Sequence, residues 1–252
     1  MNSAASDLLA EERGAARMKV EIYSDIACPW CYIGERRFKR ALAAFEGAEG
    51  VEVVFRPYQL DPATPGTAQP LVDYLSRRFG GPAEGMLSQV TSVASGEGIT
   101  MNWKHALSAN THTAHRLSRL AELEYGSETQ ARLMELLFNA HFTRGMDVGD
   151  KDVLTGLAVA AGMDEARVTE YLATDEGAGE LDDALQHARN IGVTAVPTFV
   201  FNGELAVQGA QPASTFLQAL EEAQRQAGAV GESLPADDEG EGVNCADATC
   251  SV

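Results

Sequence analysis

Strand-like periodicity occurs near the two ends of this chain and is missing from the middle. "KVEIYSDIA" (19–27) alternates, with Val20, Ile22 and Ser24 on one face and Glu21, Tyr23 and Asp25 on the other. "VEVVFRPY" (51–58) is dense in β-branched residues and reads as a second strand. Between them Phe38, Leu42 and Phe45 recur at helical spacing among Arg36, Arg37, Lys39 and Arg40, which predicts an amphipathic helix ending near Gly47. After the Pro-rich connection "LDPATPGTAQP" (60–70) the period changes. Segments 71–80, 84–98, 110–126, 128–145, 150–163 and 164–174 all read as helices, separated by Gly or Asp/Ser signals, and no strand is expected between about 62 and 190. Strands return at "VPTFVF" (196–201) and "ELAVQG" (204–209), joined by Asn202-Gly203, a strong hairpin signal. "PASTFLQALEEAQRQAG" (212–228) closes the pattern as a helix with Pro212 near its start.

The predicted fold class is therefore α/β, with an all-helical block interrupting a strand–helix–strand unit. The expected organisation is an arm at 1–17, a discontinuous α/β domain from 18–60 and 190–230, a helical insertion with its return helix at 61–189, and an acidic tail at 231–252.

No stretch approaches the roughly 18 apolar residues of a membrane span. The opening "MNSAASDLLAEERGAARMKV" carries acids and arginines where a secretory signal needs an apolar centre, so the expected location is cytoplasmic. The net charge of −18 includes Glu232, Asp237, Asp238, Glu239, Glu241 and Asp247 in a tail without Lys or Arg. An acidic chain with no basic stripe argues against nucleic-acid and anionic-membrane partners.

The four cysteines form two close pairs, Cys28/Cys31 and Cys245/Cys250. Without a secretory signal such pairs point to catalysis or metal rather than to a structural disulfide framework. "CPWC" falls at the first strand-to-helix turn, where unpaired N–H groups and the helix dipole stabilise an anion at Cys28. The thiolate is the attacking species in disulfide exchange, and Cys31 sits one turn deeper, within reach to resolve a mixed disulfide. Pro29 starts the helix at no hydrogen-bond cost, and Trp30 covers the site. The competing reading is a zinc half-site completed by Cys245 and Cys250, for which the four-residue spacing of the second pair is an indifferent match. Pro197, at the head of the third strand, removes a ladder donor; a cis Val196–Pro197 bond would instead present backbone beside the cysteines.

The stretches "DIACPWCYIGERRF", "FRPYQLDP", "NTHTAHRL", "FTRGMDVGD", "VLTGLAVAAGMD" and "GVTAVPTFVFNGELAVQGAQ", in order over about residues 18–228, resemble the DsbA-like branch of the thioredoxin superfamily. Within it the likeness is to FrnE-type proteins, which are related to 2-hydroxychromene-2-carboxylate isomerases and kappa glutathione transferases. The resemblance implies a thioredoxin fold with a large helical insertion, Cys28 as nucleophile, Cys31 as resolving cysteine and Pro197 as the cis-proline. Two cysteines, rather than the Ser-type centre of the isomerases and transferases, point to thiol–disulfide exchange. Trp30 stands where a cation would hold a thiolate more strongly, so a less extreme oxidant than the strongest DsbA type is expected.

These readings predict a protein disulfide oxidoreductase or isomerase needing no cofactor and no metal. Its partners would be oxidised or misfolded proteins and a cellular thiol system such as glutathione, in the setting of oxidative stress. The substrate-cleft candidates are Pro29, Trp30, Val196, Asn110 and His115. The alternatives are a glutathione-dependent isomerase or transferase acting on small aromatic substrates, or a chaperone-like or metal-sequestering protein. Cys245 and Cys250 are expected to act as a redox relay or gate, on an arm of about 17 residues that can extend by about 3.3 Å per residue.

Overall fold

A computed structural model describes residues 18–232; the segment at 1–17 and the tail carrying Cys245 and Cys250 lie outside the described residues. Strand β1 (Met18–Ser24) leads through helix α1 (Pro29–Ala44) into β2 (Val51–Pro57), which pairs with it in parallel, Ile22 opposite Phe55. Parallel neighbours require such a crossover, and the amphipathic α1 supplies it. Strand β5 (Thr198–Phe201) pairs antiparallel with β1, and β6 (Leu205–Gln208) pairs antiparallel with β5, giving the order β2-β1-β5-β6.

The central strand β1 is buried on both faces in its last three residues, Ile22–Ser24, while Lys19 and Glu21 leave one face of its first half partly open. On one face Phe38 of α1 meets Phe199, Phe201 and Phe216, with ring centroids 5.3–6.3 Å apart. Phe216 belongs to the closing helix, α9 (Ala213–Glu232), which runs past the expected end at 228. On the other face Tyr23 packs with Ala188 and Val193 at the end of α8 (Ala178–Asn190).

The hairpin turn forms at Asn202 (φ +49°) and Gly203 (φ +75°), and Glu204 N–H donates to Phe201 O at 3.0 Å. Glu204 thus belongs to the turn rather than to the strand expected from 204. Asn202 also anchors the start of β1: its Oδ1 accepts from Lys19 N at 2.9 Å and its N–H donates to Lys19 O at 2.8 Å.

The interrupting block contains α2 (Leu71–Phe79), α3 (Glu84–Gly96), α4 (His112–Tyr125), α5 (Ser127–Phe138), α6 (Lys151–Ala161), α7 (Glu165–Ala173) and α8. Two features depart from the sequence expectation. Strands β3 (Gln69–Pro70) and β4 (Leu107–Ser108) form a short antiparallel ladder inside the stretch where no strand was expected. Two residues each, one a proline, are too few for alternation to show. The segment expected as one helix over 128–145 leaves α-helical geometry at Phe138 and continues as a wide π-turn over Asn139–Arg144.

Side chains from this block bind it to the sheet. Gln130 of α5 completes the edge of β2, its Oε1 accepting from Phe55 N at 2.8 Å and its Nε2 donating to Phe55 O at 2.9 Å. An exposed strand edge is a site for unwanted pairing, and this amide closes it. Arg56 spans Glu21 and Glu122 at 2.7 and 3.0 Å, Lys39 reaches Glu135 at 2.7 Å, and Arg37 reaches Glu97 at 2.6 Å.

Candidate active site

Cys28 is the N-cap residue of α1, and Pro29 occupies the first helical position. The Cys28 carbonyl accepts from Cys31 N at 3.0 Å and Tyr32 N at 3.4 Å, while its own N–H donates to Asp25 O at 3.0 Å. The first turn carries no acidic side chain, and no side chain caps the helix. The Cys28 thiol therefore stands at the unfilled donor end of α1, a location that favours anionic sulfur.

Both thiols are free, Cys28 at 4% exposure and Cys31 at 1%. Burial, together with the neighbouring Cys28 sulfur, pushes the Cys31 thiol well above its ordinary pKa. The two sulfurs are thus unequal: Cys31 holds its proton, and Cys28 meets solvent first.

Across from them Cys28 Sγ donates to Val196 O at 3.8 Å, and the Val196–Pro197 peptide is cis. Pro197 can approach because Gly34 has no side chain. A Cβ at Gly34 would lie 2.9 Å from Pro197 Cγ, a distance real Cβ atoms do not tolerate. A glycine inside a helix costs roughly 1 kcal/mol relative to alanine, so Gly34 in "CYIGERR" was the available sequence signal of a close approach.

Behind the pair lies Asp25, 2% exposed. Its Oδ1 accepts from Ala27 N (3.1 Å), Thr111 Oγ1 (2.9 Å) and His115 Nε2 (3.4 Å), and its Oδ2 from Leu60 N (2.8 Å). Burial alone would raise this carboxyl. The hydrogen bond and charge of His115 and the N–H groups of Leu60 and Ala27 outweigh it and hold Asp25 below its ordinary pKa. A carboxylate so stabilised is a poor proton acceptor. Asp25 acts as a clasp that joins the CPWC turn to α4 and to the loop at Leu60. Gln59 extends the network to Thr111 and Asn110, and Asn110 in turn donates to Thr64 O at 2.9 Å.

On the other side of Cys28 opens a cavity of about 410 Å³ between the CPWC turn and the inserted helices. Cys28, Pro29 and Trp30 form its lip, and Tyr74, Leu87, Val90, Trp103 and Phe142 form apolar walls. His141, on the π-turn, and Ser108, on β4, also line it. Burial depresses the His141 imidazole to about 4 against a small opposing pull from Asp25, leaving it neutral at pH 7.

Of the cleft candidates, Pro29, Trp30 and Val196 thus lie beside Cys28, the first two at the cavity lip and Val196 across from the thiol. His115 faces Asp25 beneath the turn, and Asn110 is engaged with the 59–64 loop rather than with the cavity. Among the described residues no group of three His, Cys, Asp or Glu is arranged to hold a metal ion. No local pattern marks Ser108 or His141 as site residues; the folding of the insertion brings them to the cavity that Cys28 borders.

A paired-thiol centre at the first helix of this four-stranded sheet, facing a residue–proline step before the third strand of that sheet, defines a thioredoxin-fold protein with a helical insertion. The family model described as the DSBA-like thioredoxin domain matches residues 19–221, and the chain belongs to that family. The crystal structure of a probable DsbA oxidoreductase from Streptomyces coelicolor is 36% identical, with a TM-score of 0.74 over 87% of this chain and 93% of that one. The uncharacterized protein YwbO of Bacillus subtilis is 28% identical over 217 residues, 82% of this chain and 97% of that protein. The cytosolic disulfide reductase DsbM of Pseudomonas aeruginosa, solved with GSH, shares the fold at 15% identity, with a TM-score of 0.54 over 85% of this chain and 99% of that one. Family membership and the Streptomyces relative support an oxidoreductase or isomerase.

Proposed function

We propose that the protein is a thiol–disulfide oxidoreductase or isomerase acting on protein disulfides through Cys28 and Cys31. The Cys28 thiolate attacks one sulfur of a substrate disulfide, breaking that bond and releasing the other sulfur as a thiolate. Cys31 then gives up its proton and attacks the mixed disulfide. This frees the second substrate thiol and leaves Cys28–Cys31 oxidised, so the substrate gains two electrons and two protons. The reverse sequence inserts a disulfide. Release of Cys28 by a second substrate thiol isomerises one.

The observation that carries this reading is the inequality of the two thiols at the helix start, with Val196 O beside the reactive one. The backbone at Val196 and Pro197 is the surface on which a substrate strand would align. No cofactor enters the sequence of steps; glutathione or another cellular thiol would reset the pair. The proposed setting is the cytoplasm, in repair of oxidised protein thiols, which subcellular fractionation of the native protein would check. Cys31→Ala tests the chemistry: it should accumulate mixed disulfides with substrate proteins, which Cys28→Ser should not. Trapping in neither variant or equally in both contradicts the assignment.

The cavity beside Cys28 is the one feature favouring the second reading, a glutathione-dependent isomerase or transferase on small aromatic compounds. That activity would survive loss of Cys31.

The tail pair is proposed to exchange with the active pair as a relay or gate. With α9 running to Glu232, about 12 residues separate it from Cys245, an extended reach of roughly 40 Å. A Cys31→Ala, Cys250→Ala variant should form an internal Cys28–Cys245 disulfide, detectable by peptide mapping. Its absence under mild oxidation removes the relay.

A further inference from the structure

The cavity at Cys28 contains two polar groups that the thiol chemistry leaves unused. His141 is fully buried, and neither ring nitrogen has a partner among the described residues. Ser108 is 2% exposed, and its Oγ is also unpartnered. Both line the same cavity, whose walls are otherwise largely aromatic and aliphatic. A neutral imidazole offers one N–H donor and one nitrogen acceptor, and a hydroxyl offers both functions. Buried polar groups are normally paired, so a pair of orphans in an apolar chamber marks where a ligand's polar tip belongs.

Charge narrows the ligand further. The Asp25 carboxylate also lines the cavity and disfavours an anion, the Arg78 guanidinium in the lining is already paired with Asp61, and the apolar walls disfavour any unpaired charge. An uncharged aromatic ring bearing a hydroxyl satisfies these conditions. The mouth indicates what carries the ring. Six large hydrophobic side chains are well exposed among the described residues, and Leu60, Phe79 and Met86 all lie at this cavity. Such a rim is wider than a single ring requires and suits an apolar stretch of polypeptide.

We propose that this cavity is a specificity pocket for a tyrosine side chain carried by the disulfide substrate close to the cysteine that Cys28 attacks. The ring fills the chamber, and the hydroxyl pairs with His141 and Ser108. This rests on Cys28 being the attacking thiol.

The chain's two tryptophans, Trp30 and Trp103, both stand in the cavity wall, so intrinsic fluorescence reports occupancy directly. Titration of the full-length protein with p-cresol should give a saturable change, with binding about tenfold tighter than that of toluene, and p-toluate should bind weakest. The preference for p-cresol should disappear in His141→Phe and shrink in Ser108→Ala, the latter guarding against a folding defect in the former. Cystine peptides with Tyr, Phe or Ala beside the cysteine should then react in that order of kcat/KM, the Tyr–Phe difference vanishing in His141→Phe and shrinking in Ser108→Ala.

Equal binding of p-cresol and toluene overturns the proposal, as does a preference that survives both substitutions. A preference for p-cresol without discrimination between Tyr and Phe peptides also overturns it, in favour of a free phenolic ligand. Oxidised glutathione, which has no ring, separates this proposal from the one beneath it. The wild-type protein should exchange with it and Cys28→Ser should not, and failure of that exchange in the wild-type protein would indict the thiol assignment rather than the pocket.

Discussion

The two sides of the CPWC turn are built on opposite plans. Toward α4, every oxygen of Asp25 is occupied, and Thr111, His115, Gln59 and Asn110 form one connected network. Toward α3 and the π-turn, an apolar chamber contains His141 and Ser108, whose side chains have no hydrogen-bond partner among the described residues. The two buried histidines state the contrast: His115 meets a carboxylate at 3.4 Å, and His141 meets none. A satisfied polar network fixes geometry, whereas unsatisfied groups store a cost that a ligand can relieve. The first side holds Cys28 in place, and the second gives it something to select.

The largest expected break in this comparison is Asp25→Ala. It strands the Leu60 N–H, Thr111 hydroxyl and His115 imidazole together, and should lower stability by about 3–5 kcal/mol in urea denaturation. Asp25→Asn, which keeps part of the acceptor capacity, should cost less. A loss under about 1 kcal/mol for Asp25→Ala would show that the network is not the clasp described.

The cavity side should show itself through pH. Folded His141 titrates near 4 and the unfolded chain near 6.5, so below about pH 6.5 the unfolded state binds a proton that the folded state refuses. Stability should therefore fall as pH falls from about 6.5 to about 4, by on the order of 3 kcal/mol, and His141→Phe should flatten that slope. Asp25, held below its ordinary value, contributes stability that is present above about pH 4 and is lost at more acid pH, as pH falls through its folded pKa. The two sides thus separate into different pH windows: denaturation at pH 7, 5.5 and 4.5 follows the His141 side, and a further measurement at about pH 3 follows the Asp25 side.

A smaller effect is expected where α1 meets the strand that faces Cys28. Gly34→Ala drives a methyl into Pro197 and should cost about 1–3 kcal/mol. It should also slow disulfide exchange with peptides more than with oxidised glutathione, because it displaces the Val196–Pro197 surface. Smallest of all is Ser108→Ala. Removing a buried hydroxyl that has no partner should leave stability within about 0.5 kcal/mol of wild type by thermal denaturation. A cost of 2 kcal/mol would mean that Ser108 is paired in solution and that the contrast between the two sides is false.

What could be read from the sequence was what local pattern encodes. Alternation in 19–27, helical spacing after Pro29, the Asn202-Gly203 turn and the placement of CPWC between strand and helix each lie within one short window. They sufficed for the thioredoxin-like plan and its helical insertion. The β3–β4 ladder escaped because its two-residue strands are separated by 36 residues and carry no period. The π-turn escaped because "FNAHFTR" has the same apolar spacing as the α-helix it continues. Asp25 stands three residues before Cys28 in the sequence, but whether it accepts a proton or opposes thiolate formation depends on donors from Leu60, Thr111 and His115, which only the fold brings together. Nothing local in the sequence distinguishes His141 from the other four histidines. Its burial beside Ser108, Trp103 and Cys28 is a product of how the insertion closes over the sheet.

The unequal thiols of the CPWC turn are tested most directly by a glutathione redox titration read by alkylation and mass spectrometry. Cys28 and Cys31 should oxidise together, reversibly, at one two-electron midpoint, with Cys28 alkylated first in the reduced protein and the transition abolished in Cys28→Ser. Faster alkylation of Cys31, or a pair that stays reduced across the whole glutathione range, would contradict the assignment of Cys28 as the nucleophile of a thiol–disulfide exchange centre.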